Sequence, residues 1–133
     1  MREPRWLSRL VIDTMHSELV LEHRGSPGTR DGGDDLIESA LARPSNRFAY
    51  EPTSDLAELA AAYLFGLVKN HGFIDGIKRI GFIAATTFLR LNGLRPTASE
   101  ADAYDTVIAL VEDRLTEEDV ARWFRAHSEP AHE

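Results

Sequence analysis

The sequence predicts an all-α fold, a compact bundle of about six helices. Apolar residues recur at three- and four-residue spacing along nearly the whole chain, which is the period of an amphipathic helix. Capping residues stand just before several of these runs, and Gly or Pro follows most of them. In a chain of 133 residues we expect one domain over 1–133, with residues 128–133 as a frayed tail.

The first third of the chain contains two predicted helices and a loop. Ser8 caps a helix that runs to about His23. The Gly-rich stretch RGSPGTRDGGDD then forms a loop of a dozen residues. A short helix follows and is expected to stop before Pro44, because the residue preceding a proline disfavours helical backbone. Residues 44–53 hold the one candidate extended segment.

The third helix has the strongest periodic signal. Asp55 with Glu58 gives it a start that resembles a capping box. One apolar face then follows at helical spacing: Leu56, Leu59, Ala60, Tyr63, Leu64, Leu67 and Val68. His71 comes four residues after Leu67, so we expect it at the end of the buried face.

Three further helices complete the predicted bundle. The first begins after Gly76, places Ile80, Ala84, Phe88 and Leu91 inward, and stops at Asn92-Gly93. The other two begin at caps, namely Ser99 with Asp102 and Thr116 with Asp119.

Composition excludes several classes of protein. No apolar run reaches the roughly 18 residues of a membrane span, and no leader pattern opens the chain, so we expect a soluble, cytoplasmic protein without a membrane partner. The absence of cysteine excludes disulfides and thiolate metal sites. A net charge of −7 argues against direct nucleic-acid binding, which needs a basic surface.

One segment, HGFIDGIKR at 71–79, concentrates residues suited to chemistry. The two lysines of the chain, Lys69 and Lys78, bracket His71, and Arg79 follows. This group of cations is the expected place for an anion in an acidic chain. Lys78 and Arg79 fall in the first turn of a helix, where cations oppose the helix dipole but, with the unpaired N–H groups, suit a phosphate.

His71 and Asp75 add a base and a metal ligand to this anion site. A histidine titrates near neutral pH and can accept a proton from a hydroxyl. Asp75 can hold Mg²⁺, which usually takes one or two carboxylates plus substrate phosphates. Together these groups suit phosphoryl or nucleotidyl transfer. Structural roles stay open: Asp75 as a helix cap, His71 as a hydrogen-bonded helix end, and the cations as a solvated face.

The segment resembles the Fic/Doc motif, whose Doc branch reads roughly H-x-F-x-D-[AG]-N-K-R. The matching residues are His71, Phe73, Asp75, Gly76, Lys78 and Arg79. Flanking stretches, EHRGSPGTRD and LIESALARPSNRFAYE upstream and FLRLNG and TASEADA downstream, are also similar to Doc relatives, so the likeness is expected over nearly the whole chain. Lys78 stands where adenylylating Fic proteins have glycine, which favours the Doc branch.

The resemblance implies a toxin of a type II toxin–antitoxin pair. Doc-like toxins are kinases that use ATP and Mg²⁺ to phosphorylate a threonine of elongation factor Tu, which arrests translation. The implied roles are His71 as catalytic base, Asp75 as metal ligand, Phe73 as the structural anchor of the turn, and Gly76, Ile77, Lys78 and Arg79 as the phosphate-binding residues. The implied partner is a Phd-like antitoxin whose C-terminal segment folds on the toxin.

Ile77 departs from the motif, which has asparagine there. Isoleucine offers no amide to the phosphates, so we expect attenuated activity on an intact scaffold. Two other functions stay open: a Fic-type adenylyltransferase, and a catalytically inactive module that binds its antitoxin and regulates their operon.

Overall fold

A computed structural model describes residues 3–23, 32–70 and 77–131, without the side chains of residues 20–23, 70, 77 and 78. Over these ranges the chain forms six helices and two short strands: α1 (Arg9–His23), α2 (Gly33–Tyr50), α3 (Leu56–Asn70), α4 (Ile77–Leu91), β1 (Leu94–Pro96), α5 (Glu100–Val111), α6 (Glu117–Ala126) and β2 (Ser128–Pro130). The all-α prediction is confirmed. Within the described part of the chain, each helix is too short or too polar to cross a bilayer.

Helix α3 lies at the centre of the described structure. Residues 59–64 are all fully buried, so this stretch is enclosed on every side. Helices α2, α4 and α6 pack around it, α1 packs against α4, and α5 contacts α3, α4 and α6. Small residues allow the closest of these contacts. A Cβ added at Gly66 of α3 would lie 3.2 Å from the Cα atom of Ala40 in α2.

The four predicted helix caps, at the starts of α1, α3, α5 and α6, are confirmed by their hydrogen bonds. The Ser8 hydroxyl accepts from the N–H of Val11 at 3.2 Å, and Ser99 caps α5 in the same way. The N–H of Glu58 donates to Asp55 at 2.8 Å while the N–H of Asp55 donates to Glu58 at 2.9 Å. Thr116 and Asp119 form a second reciprocal box at the start of α6. Each box satisfies N–H groups that the helix leaves unpaired.

The prediction for α2 was wrong at both ends. The helix begins at Gly33, within the expected loop, and continues through Pro44 to Tyr50, so the extended segment is absent. A proline inside a helix costs about 3 kcal/mol. Contacts from other elements offset that cost. Pro44 is buried, Arg47 forms ion pairs with α3 and α6, and the Phe48 ring lies 5.9 Å from Trp6.

Residues 128–131, part of the stretch expected to be a frayed tail, pair with the chain that follows α4. Ser128–Pro130 forms an antiparallel ladder with Leu94–Pro96, and the N–H of Ala131 donates to the carbonyl of Gly93 at 2.9 Å. Gly93 has φ of +90°, which turns the chain out of α4 into this ladder. Residues 132–133 lie outside the described residues.

Leu91 was predicted to face inward with Ile80, Ala84 and Phe88. Those three side chains are fully buried, but Leu91 is 41% exposed. It is the last residue of α4, where the helix already leaves the core.

Candidate functional site

The structure brackets the predicted chemical segment with two helix ends. Helix α3 ends at Asn70 and α4 begins at Ile77, so the two helices expected on either side of the segment are present. Four of the predicted site residues, His71, Phe73, Asp75 and Gly76, lie outside the described residues, and their roles stay predictions. Ile77 and Lys78 are described only as backbone in the first turn of α4.

The two helices that hold this joint approach closely beside it. A Cβ added at Gly81 would lie 2.8 Å from Cγ2 of Val68 and 3.1 Å from Cδ1 of Leu64, both on α3. Real Cβ contacts are essentially never as short as 2.8 Å. The absence of a side chain at Gly81 therefore lets α4 pack on α3 one turn after its start, which fixes the start of α4 relative to the end of α3.

The start of α4 has the electrostatic character of an anion site. Its first turn contains Lys78 and Arg79 and no acidic residue. The first N–H groups of a helix have no intrahelical acceptor, and the dipole makes this end positive. The Arg79 side chain is exposed. A phosphate group at this helix end would meet N–H donors in a turn whose sequence contains two cations and no acid.

Lys69 does not belong to this site as the sequence suggested. Its ammonium forms an ion pair with Asp113, in the turn between α5 and α6. Asp113 has φ of +59°, a left-handed conformation that aspartate adopts more readily than most residues. The predicted group of cations is therefore reduced to Lys78 and Arg79, and Lys69 links the end of α3 to the next helix pair.

Sequence reasoning missed a cleft that lies between α4 and α5, next to Arg79. The cleft measures about 660 Å³. Its lining includes Phe82, Ile83, Tyr104 and Ile108, with Arg79 and Glu100 as its charged members. The sequence did place Tyr104 and Ile108 at helical spacing, but only the packing of α5 beside α4 brings them against Phe82 and Ile83.

A second cavity, of about 580 Å³, lies between α2, α3 and α6 and is polar. Arg47 donates to Glu58 at 2.7 Å, to Glu118 at 3.0 Å and to Glu117 at 3.2 Å, and Arg43 also pairs with Glu117. Burial by itself would lower the pKa of Arg47, but the hydrogen bond and charge of Glu118, with the other two carboxylates, raise it. These ion pairs join three helices, which is a structural role.

No cluster of three potential metal-ligating side chains occurs among the described residues. Asp75 lies outside them, so the predicted magnesium site stays a prediction. His16 is buried in α1.

Comparison with known proteins identifies the family. The model of the Fic/DOC family matches residues 6–89, more than half of the chain. The chain belongs to the Fic/Doc family. It is 34% identical over 91 residues to the protein kinase doc of Escherichia phage P1, an alignment that covers 68% of this chain and 71% of that protein. It is 39% identical over 75 residues to the toxin Doc of Mycolicibacterium smegmatis, 56% of each chain.

The matched part of the Fic/Doc chain contains α1 to α3, the segment 71–79 and most of α4. The family model ends at residue 89, so it reaches less far than the likeness over nearly the whole chain that the sequence predicted. Helices α5 and α6 and both strands lie beyond it. One wall of the α4–α5 cleft therefore comes from the family core, and the other comes from a part of the chain outside the family match.

Proposed function

We propose that this Fic/Doc protein is a Doc-type kinase, the toxin of a type II toxin–antitoxin pair, which transfers the γ-phosphoryl group of ATP to a threonine of elongation factor Tu. The observation that carries the proposal is the start of α4. This helix begins within the motif, at Ile77, with two cations and no acid in its first turn. Such a helix end binds phosphate, and the motif around it is that of the Doc branch.

The residue types in and around the first turn of α4 suit a nucleoside triphosphate. Lys78, Arg79 and the first N–H groups of α4 would hold the phosphates, with Gly76 and Ile77 beside them. Asp75 would hold Mg²⁺, which neutralises phosphate charge when bound. His71, which follows Asn70 in the sequence, would accept the proton of the threonine hydroxyl and increase its nucleophilicity. Phe73 would anchor the turn between the helices.

Ile77 is expected to lower the rate of this reaction. The motif asparagine can form a hydrogen bond to a charged group, and such a bond is worth roughly 1.5–3 kcal/mol. Isoleucine forms none, which corresponds to a loss of roughly ten- to a hundredfold in rate. The fold should tolerate the substitution, because Ile77 continues the helical spacing of Ile80, Ala84 and Phe88.

The test uses the purified chain, Mg²⁺, elongation factor Tu and ATP labelled at either the γ- or the α-phosphate. We expect γ-label on the elongation factor, faster by ten- to a hundredfold for Ile77→Asn. His71→Ala in the Ile77→Asn background is the matched control and should abolish transfer. Transfer of α-label instead would identify an adenylyltransferase. No transfer by either form would contradict the kinase proposal and the attenuation by Ile77.

Ile77 also favours a second candidate, a catalytically inactive module that binds a Phd-like antitoxin and regulates their operon. In that case the antitoxin should bind tightly while neither this chain nor its Ile77→Asn variant turns over ATP. Growth arrest on induction separates the candidates in cells. The kinase proposal expects arrest by Ile77→Asn that co-expressed antitoxin reverses, and the inactive module expects no arrest by either form.

A further inference from the structure

The α4–α5 cleft begins one residue after Lys78, at Arg79 in the first turn of α4. Phe82 and Ile83 follow on the same helix within about 6 Å of rise. The proposed phosphate site and the cleft therefore share a residue, and a ligand held by its phosphates at the start of α4 can reach the cleft. The presence of such a ligand at the start of α4 rests on the proposed function.

The size and lining of the cleft suit a nucleoside. A volume of about 660 Å³ lies within the range of small-molecule sites, which are mostly apolar with a few polar groups. Tyr104 is 66% exposed although it lines the cleft, so much of its ring is available to a planar ligand. Phe82 of α4 also lines the cleft, and aromatic rings are the side chains on which nucleic-acid bases stack.

Glu100 supplies a polar group that can select among bases. It is an exposed carboxylate that lines the otherwise largely apolar cleft. An ionised carboxylate only accepts hydrogen bonds, so it pairs with an amino group and not with a carbonyl. Adenine carries an exocyclic amino group where hypoxanthine carries a carbonyl.

We propose that the α4–α5 cleft binds the base and ribose of the nucleotide whose phosphates lie at the start of α4, and that Glu100 selects a base with an exocyclic amino group. Helix α5 lies beyond the family match. Base selection in this chain therefore depends on residues outside the matched family core.

Binding affinities test the proposal without reference to activity. ATP, ITP and inorganic tripolyphosphate are titrated into this chain and into Ile77→Asn by calorimetry. We expect ATP to bind at least tenfold more tightly than tripolyphosphate. Tyr104→Ala should weaken ATP binding about tenfold, in line with the energies of base–aromatic stacking, and leave tripolyphosphate binding unchanged. Tyr50→Ala, which removes an exposed tyrosine at the end of α2, is the matched control and should change neither.

Glu100→Gln tests base selection. It should reduce the ratio of the ATP affinity to the ITP affinity towards one. The affinity for tripolyphosphate should change no more than the affinity for either nucleotide. Equal affinities for ATP and tripolyphosphate, with no effect of Tyr104→Ala, would overturn the cleft proposal and leave the phosphate site intact. Loss of antitoxin binding in Tyr104→Ala with unchanged ATP affinity would assign the cleft to a peptide instead. Absence of binding by all three ligands to both forms would overturn the cleft and the kinase proposal together.

Discussion

Tyr63 connects the chain before α1 to the central helix through one buried hydrogen bond. The N–H of Leu7 donates to the Tyr63 hydroxyl at 3.0 Å, and the tyrosine is fully buried. Burial raises the pKa of Tyr63 to about 12, and the hydrogen bond from Leu7 only partly opposes that shift. The hydroxyl is therefore neutral in the folded protein at neutral pH.

Tyr63→Phe should destabilise the fold by about 1–3 kcal/mol, because the buried N–H of Leu7 loses its acceptor. The measurement is urea unfolding at neutral pH, with Tyr104→Phe, at an exposed tyrosine, as a control that should stay within about 0.5 kcal/mol. Because the pKa of Tyr63 is raised in the folded protein, the contribution of Tyr63 to the free energy of unfolding is complete below pH 10. It falls as the pH rises towards 12. An unchanged midpoint for Tyr63→Phe would contradict this role.

At Gly81, α4 lies so close to α3 that a Cβ has no room. Alanine improves a helix interior by about 1 kcal/mol relative to glycine. A Cβ at 2.8 Å from Val68, however, forces the helices apart, and overpacking of this kind costs about 1–3 kcal/mol. We therefore expect Gly81→Ala to lower the free energy of unfolding by roughly 1 kcal/mol.

A double-mutant cycle with Val68→Ala tests the cause of that loss. Val68→Ala removes the methyl group in the way, so the double variant should be more stable than the sum of the single changes by about 1 kcal/mol. Additive effects would show that the contact between these two positions does not limit the approach of the helices.

At the scale of elements, Asp55 links the start of α3 to α6. Its carboxylate accepts from the N–H of Glu58 at 2.8 Å and from Arg125 of α6 at 2.8 Å. Burial by itself would raise the pKa of Asp55, but these hydrogen bonds and the charge of Arg125 outweigh it and hold the pKa below its ordinary value. Ionised Asp55 thus stabilises two elements together.

This lowered pKa predicts the direction of the acid dependence. The stabilising contribution is complete above the ordinary pKa of aspartate, about 4, and is lost as the pH falls through the lower folded value. Asp55→Asn keeps a good helix cap but removes the charge, so it should be less stable at pH 7 and should lose less on acidification. Urea midpoints from pH 7 to pH 2 measure both effects, with Asp105→Asn, at an exposed site on α5, as control. If the urea midpoints of Asp55→Asn and of the parent chain depend on pH in the same way, ionised Asp55 does not stabilise the contact between α3 and α6.

The helix starts could be predicted from the sequence because they depend on neighbours within four residues. The reciprocal bonds of Asp55 and Glu58 are an example. The course of α2 could not be predicted from the sequence. The cost of Pro44 is local, whereas the ion pairs of Arg47 that offset it come from residues 11 to 71 positions away. The strands β1 and β2 are three residues long, too short for an alternating pattern, and each pairs with a distant segment.

The candidate site could be predicted in part for the same reason. The two cations at the start of α4 follow directly from the order of residues along the helix. The pairing of Lys69 with Asp113 and the cleft that Tyr104 lines both depend on how α5 packs, and no local pattern shows that.

At the scale of the whole molecule, the helices beyond the family match complete the core around α3. Val120 and Phe124 of α6 are buried, and Phe124 lies in one apolar cluster with Tyr63 and Phe88 of the matched part. Arg125 of α6 adds a polar link to Asp55 at the start of α3. We therefore propose that residues 1–133 unfold as one domain.

The two tryptophans of the chain provide a test of that proposal. Trp6 stacks on Phe88 at 5.8 Å, within the matched part, whereas Trp123 of α6 packs edge-on against Phe82 at 6.2 Å. Trp123→Phe leaves Trp6 as the fluorescent reporter of the matched part. Trp6→Phe leaves Trp123 as the fluorescent reporter of α6. In each variant, fluorescence and far-UV circular dichroism should give the same urea midpoint, because a single domain of this size unfolds in one cooperative transition. If fluorescence of Trp123 changes at a lower urea concentration than the helical signal of the same variant, α6 unfolds separately and the proposal of one domain is wrong.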